Sequence, residues 1–162
     1  MEAHRWQLRP AVADDEAFLR ILFASNDGML KALPANVQAS LVEMQYRGRQ
    51  LTYSTQYPQA KDSIICLEDG RSVGRLLVVR REDHLRVIDV AILPEWQGRG
   101  IGRSVLTMLA QQGRDEGVEI RLRVYLDNPA IRLYSLLGFV VADRDEISCE
   151  MSLNSAVNKP TE

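Results

Sequence analysis

The feature that most constrains this chain is a change of hydrophobic period at one proline. Leu85 to Ile92 reads as an apolar strand, and Pro94 closes it. Gln97-Gly98-Arg99-Gly100-Ile101-Gly102 then forms a glycine-rich loop, after which Ile101, Val105, Met108 and Leu109 share one helical face. Gly117 ends that helix, as glycine does just past a C-cap. Ile120, Leu122, Val124 and Leu126 alternate with Arg121, Arg123, Tyr125 and Asp127, which predicts a strand. A strand, a helix and a strand in this order pair in parallel through a right-handed crossover. The chain therefore builds a sheet in which one strand feeds directly into the N-terminus of a helix.

The flanking segments extend that sheet. Trp6 to Arg9 is a short strand, and Asp14 and Asp15 precede a first helix carrying Ala17, Phe18, Ile21 and Leu22. Asn26-Asp27-Gly28 breaks it. A second helix starts after Pro34 and runs to about Gln50, and the polar, tyrosine-bearing stretch from Thr52 to Asp62 reads as a loop. Ser63 to Leu67, Ser72 to Val79 and Leu85 to Ile92 are joined by tight turns at Asp69-Gly70 and Asp83-His84, which predicts an antiparallel meander. A short helix from Ala130 to Leu137 and a hairpin of Phe139 to Ala142 with Ile147 to Leu153 complete a mixed α/β fold. Residues 1–153 are expected to form one domain, and 154–162 a polar tail.

With 162 residues, 46% apolar and 26% charged, the chain can bury a core without disulfide or metal staples. A net charge of −2 leaves no electrostatic footprint for nucleic acid or anionic lipid, and no apolar run is long enough to span a bilayer. The N-terminus carries no apolar leader, so the cytoplasm is the expected location. Cys66 and Cys149 sit in apolar runs and read as buried core thiols. His4 and His84 have no partners at ligand spacing, so no metal is expected.

The glycine loop carries the chemistry. Helix N-termini present unpaired N–H groups and partial positive charge. Glycines at 98, 100 and 102 let the backbone approach a ligand, and Arg99 and Arg103 can add charge-assisted contacts, so the loop suits a phosphate. It is not a dinucleotide fingerprint, since Arg103 stands where the third glycine belongs, and it lacks the Gly-Lys-Ser/Thr ending of a P-loop.

The run Ile88-Asp89-Val90-Ala91-Ile92-Leu93-Pro94-Glu95-Trp96-Gln97-Gly98-Arg99-Gly100-Ile101-Gly102 resembles motif A of the GNAT acetyltransferases, an apolar strand followed by Q/R-x-x-G-x-G/A. Asn128-Pro129-Ala130-Ile131-Arg132-Leu133-Tyr134-Ser135-Leu136-Leu137-Gly138-Phe139 resembles motif B of the same family, with one residue fewer between Asn128 and Tyr134 than usual. The resemblance implies a single-domain GNAT fold: a mixed, mostly antiparallel sheet, with a splayed parallel pair of central strands flanked by helices. It implies an N-acetyltransferase that moves acetyl from acetyl-CoA to a primary amine in a ternary complex. A non-catalytic acyl-CoA sensor or interaction module with the same fold is the alternative.

By the same resemblance, Val90, Ala91 and Ile92 offer backbone to the pantetheine arm, with an N–H near Ile92 polarising the thioester. Gln97, Gly98, Arg99, Gly100, Ile101, Gly102 and Arg103 hold the pyrophosphate, and Asn128 stands at a cofactor-contacting position. Tyr134 matches the general acid. The base is not carried over: where some relatives carry a glutamate in the fifth strand this chain has Arg123, and where others carry one early in the fourth it has Arg86 or a neighbour. Asp89 is a candidate base or amine binder, or else a structural acceptor for a neighbouring arginine. Glu43, Tyr53 and Tyr57 come from the segment expected to wall the acceptor pocket. The acceptor is a small-molecule or peptide amine, and dimers are common in the family, so a homodimer is open.

Overall fold

The computed structural model describes residues 4–154. Seven strands form one sheet in the order β1-β2-β3-β4-β5-β7-β6. The strands are β1 (Trp6–Pro10), β2 (Lys61–Leu67), β3 (Ser72–Arg80), β4 (His84–Ile92), β5 (Glu119–Tyr125), β6 (Val140–Arg144) and β7 (Ser148–Leu153). The helices are α1 (Glu16–Ser25), α2 (Gly28–Lys31), α3 (Ala35–Gln56), α4 (Ile101–Glu116) and α5 (Ala130–Leu136). The mixed sheet with one parallel pair is as expected. The tail beyond Asn154 lies outside the described residues.

The sheet is antiparallel wherever its connections are short. β1 pairs antiparallel with β2, from Trp6 opposite Leu67 to Pro10 opposite Ser63. Glu68 to Arg71 and Arg81 to Asp83 join β2 to β3 and β3 to β4, and links that short cannot make a parallel crossover. β4 and β5 are parallel, and their ladder runs only from His84 opposite Glu119 to Val87 opposite Leu122. β4 continues to Ile92 and β5 to Tyr125 beyond the end of that ladder.

The chain divides into two compact units. One holds the residues up to Leu77 with Asp89–Ile101, and the other holds Val78–Ile88 with the residues from Gly102 onward. In the first, Leu19 and Leu22 of α1, Tyr46 of α3, and Ile64 and Cys66 of β2 form a buried cluster, against which Phe18, Phe23, Ala91 and Leu93 pack. Fully burying one such aliphatic side chain contributes about 1.5–3 kcal/mol. In the second, Ile120, Leu122 and Val124 point inward from β5 as their alternation predicts, and Val105, Leu106 and Leu109 are buried residues of α4. Gly113 lets α4 sit close: a Cβ there would stand 2.8 Å from the Val118 carbonyl oxygen and 2.9 Å from Ile120 Cδ1. Cys66 and Cys149 are both buried and unpaired.

Two local expectations need correction. Asp15 stands at the N-cap of α1, but its side chain makes no capping bond to that helix. A 3₁₀ turn (Ala13–Asp15) precedes it, and Asp15 instead accepts from the Val12 N–H at 2.8 Å and from Arg9 at 2.6 and 2.8 Å. The second helix is longer than its apolar pattern suggests: α3 runs to Gln56, so Tyr53 lies on a helix and not in a loop.

Candidate active site

The glycine loop is built between two fixed ends. β4 ends at Ile92, a 3₁₀ turn (Pro94–Trp96) follows, and α4 starts at Ile101, whose side chain is buried. Gly98 and Gly100 have φ of 73° and 85°, a left-handed conformation that L side chains rarely adopt. No atom lies within 4 Å of a Cβ built on either, so the loop backbone faces open space. Residues 97–100 all lie exposed at the surface. An exposed backbone of this shape, leading into a helix N-terminus, fits a phosphate group.

The side chains of the loop are used differently from its backbone. Gln97 Nε2 donates to the Ile92 carbonyl at 2.9 Å and to Asn26 Oδ1 at 2.7 Å. Asn26 Nδ2 donates to the same carbonyl at 3.1 Å. Gln97 thereby fastens the loop to the end of β4 and to the residue that terminates α1. Arg99 stacks over the Trp96 ring at 4.5 Å, and Arg71 lies over that ring at 5.0 Å. Gly102 and Arg103 lie in the first turn of α4, with Arg103 exposed.

The last residues of β4 have defined edges. The Leu93 N–H donates to the Val73 carbonyl at 2.8 Å, and the Ala91 carbonyl turns to Gly74 in β3. Successive residues of a strand turn their polar groups to opposite edges. Ile92 accordingly turns its carbonyl away from β3, where Asn26 and Gln97 meet it. Gly74 is required here: a Cβ would fall 2.4 Å from the Ala91 carbonyl oxygen and 2.9 Å from Ile92 Cδ1. Neither Asn26 nor Gly74 stands out in the sequence as a site residue, although a glycine inside the apolar strand Ser72 to Val79 is itself a signal of close approach.

Asp89 stands beside a buried arginine. Arg75 of β3 is 5% exposed. It donates to both carboxylate oxygens of Asp62, at 2.9 and 2.8 Å, and to Gln50 Oε1 at 3.0 Å. Its Nη1 lies 4.0 Å from Asp89 Oδ2, and its guanidinium lies 5.8 Å from the centre of the Tyr53 ring. Burial pushes the Asp89 carboxyl above the ordinary aspartate range; Arg75 and then Arg49 pull it back, and Asp62 adds a smaller upward push. Sequence reasoning misses Arg75, and a charged side chain inside an apolar strand is the signal that could have found it.

The other candidates fall in varied surroundings. Glu43 is held by Arg20 at 2.8 Å and by Arg47 at 2.5 Å, so its charge is already matched. Tyr57 is the C-cap of α3, its N–H donating to the Tyr53 carbonyl at 2.8 Å. In the second unit Tyr134 is buried, with its ring centre 5.8 Å from that of Phe139. Asn128 uses its Oδ1 to accept from the Ala130 N–H at 2.9 Å, which closes the start of α5. Arg86 and Arg123 both reach Glu150, and Arg123 also donates to Ser148 Oγ at 2.9 Å and Asp145 at 2.8 Å. Both arginines are thus engaged by acidic side chains within the chain. Among the described residues no group of three histidine, cysteine, aspartate or glutamate side chains could hold a metal, and no helix is long and apolar enough to cross a membrane.

Comparison with known proteins gives three findings. The model of the acetyltransferase (GNAT) family matches residues 34–139, more than half of the chain. A mycothiol acetyltransferase of Nocardiopsis dassonvillei is 38% identical over 81 residues, which is 49% of this chain and 21% of that protein, so the match spans about a fifth of that relative's length. Among solved structures, a PaiA N-acetyltransferase of Thermoplasma acidophilum in complex with coenzyme A superposes with a TM-score of 0.70 at 17% identity, covering 93% of this chain and 99% of its own. The ribosomal-protein-S18-alanine N-acetyltransferase of Escherichia coli does so with 0.69 at 18% identity, covering 98% and 99%. At that identity the two structures speak for the fold.

Proposed function

Because the chain belongs to the acetyltransferase (GNAT) family, we propose that it transfers acetyl from acetyl-CoA to the primary amine of an acceptor. The observation that carries this reading is the exposed Gly98–Gly100 backbone with its two left-handed glycines, placed between the end of β4 and the start of α4. The coenzyme A bound to the Thermoplasma relative supports the same reading.

In this proposal the thioester supplies an activated acyl carbon, and the chain's residues do the rest. The loop from Gln97 to Gly102, with Arg99 and Arg103 at its side, binds the pyrophosphate through backbone N–H groups. The edge of β4 turned away from β3, to which Val90 and Ile92 direct their polar groups while Ala91 directs its own to β3, holds the pantetheine arm, and a backbone N–H there polarises the carbonyl. One such donor is worth ~2.7–4 kcal/mol in typical enzymes. Asp89 binds the incoming ammonium and takes its proton, for which a carboxyl raised by burial is suited. The amine nitrogen then forms its bond to the carbonyl carbon as the carbon–sulfur bond breaks. Tyr134 gives its phenolic proton to the leaving thiolate, and the second proton shed by the nitrogen as the amide forms restores the phenol. Tyr53, Tyr57 and α3 wall the acceptor side, and Glu43 is a structural part of that wall.

Thiol release from acetyl-CoA against a broad amine panel tests the reading. Amine-dependent release with an acetylated product is expected. Tight acetyl-CoA binding with no amine-dependent release would instead assign the fold a sensing role. The reaction needs only soluble partners, and the cytoplasm is the location we propose.

A further inference from the structure

The charge around Asp89 is arranged for an acceptor that is itself a zwitterion. The neighbouring carboxylates Asp62 and Glu43 already have cations. Asp62 is bonded twice by Arg75, and Glu43 is held by Arg20 and Arg47. Asp89 is the exception: Arg75 spends its hydrogen bonds on Asp62 and Gln50 and approaches Asp89 only to 4.0 Å. The Asp89 side chain remains 23% exposed, so its carboxylate is open to a second, external cation.

Arg49 of α3 is the matching exception among the cations. Its guanidinium lies over the Phe23 ring at 5.0 Å. Among the described residues no carboxylate pairs with it. Phe23 packs against the same buried cluster as Ala91, which shares a face of β4 with Asp89, so Arg49 lies on the Asp89 side of the sheet, where its charge acts on that carboxyl. Arginine presents a planar fork suited to a carboxylate. Between Glu43 and Asp62 the chain carries Arg47, Arg49 and Lys61 and no acidic residue. A flexible polycation would be repelled by that wall, whereas a molecule with one ammonium and one carboxylate is matched by it.

We propose that the acceptor is a free α-amino acid, its ammonium on Asp89 and its carboxylate on Arg49. This rests on the transferase reading above. The substrate class is set by the one carboxylate and the one arginine of this wall that lack a full partner within the chain.

Thiol release is measured with α-amino acids, their primary amides and a linear polyamine, on the wild type and on Arg49→Gln and Arg49→Lys. The wild type is expected to favour the best amino acid over its own amide by about ten- to a hundred-fold in kcat/KM, the worth of one charge-assisted contact. Arg49→Gln should collapse that preference through KM, and Arg49→Lys should restore part of it. Turnover confined to amides or polyamines, or a preference for the amino acid that survives in Arg49→Gln, overturns the inference and leaves the transferase reading standing. A wild type that binds acetyl-CoA and acetylates no amine at all overturns both.

Discussion

Asp89 sits where burial and its proposed role in the reaction make opposite demands. Its carboxyl is raised by desolvation, and Arg75 and Arg49 only partly offset that. A carboxyl whose pKa is higher in the fold than in the unfolded chain favours its neutral form in the fold. The stability it allows is therefore fully present below the ordinary aspartate value of ~3.9 and is lost as pH rises through the raised value. Asp89→Asn should thus be more stable than the wild type at neutral pH by urea unfolding, with the gap closing toward acid pH. The same variant should lose turnover, and the acid limb of the wild-type rate profile should lie above the ordinary aspartate range. An Asn variant with no stability gain at neutral pH would mean that Asp89 is not strained there. Tyr134→Phe makes a separate prediction. The ring keeps its packing against Phe139 and loses only the hydroxyl. Single-turnover transfer should slow by ~10²–10⁴-fold. A wild-type single-turnover rate would place the acid elsewhere. At this scale the sequence singles out Asp89 and Tyr134 as candidates through their motifs, but not Arg75 or Asn26. Those two act through contacts with residues distant in sequence, and only the folded sheet brings such partners together.

The ends of elements decide whether a site forms, and here Gly74 is the test. Adding a methyl group at that position puts it 2.4 Å from a backbone oxygen of β4, which cannot rotate away as a side chain could. Gly74→Ala should cost at least about 1–3 kcal/mol, the usual penalty for overpacking. It should also weaken acetyl-CoA binding, since the strand that moves is the one carrying Val90 to Ile92. An unchanged urea midpoint would show that β4 can give way. The elements are legible where hydrophobic period is informative: β5 alternates as its sequence does, and Gly117 closes α4 with φ of 69°. α3 outruns its apolar pattern because its last turns are polar. The better signal is the absence of any glycine or proline from Leu51 to Tyr57, since a helix commonly ends at the residue before proline, and Pro58 follows its C-cap at Tyr57.

Taken as a whole, the molecule combines two motifs that are local in sequence with a proposed acceptor wall that is not. The glycine loop and the Asn128–Phe139 segment are each contiguous, so the family and the fold are legible in the amino-acid sequence alone. The wall around Asp89 draws on α1, α3, β2, β3 and β4. Its charge balance depends on Arg75 facing Asp62 and Asp89 together, an arrangement that no local pattern encodes. The functional reading depends on the loop between β4 and α4 seating the acyl donor, and Gly100 isolates that claim. A Cβ there meets no atom within 4 Å beyond its own chain neighbours, so the substitution is expected to cost the local backbone strain of a left-handed residue, about 1–3 kcal/mol, and to leave the fold intact. Calorimetric titration of acetyl-CoA into wild-type protein and into folded Gly100→Val is the most direct measurement. The account predicts one site in the wild type and no measurable binding in the variant; equal affinity in both would contradict it.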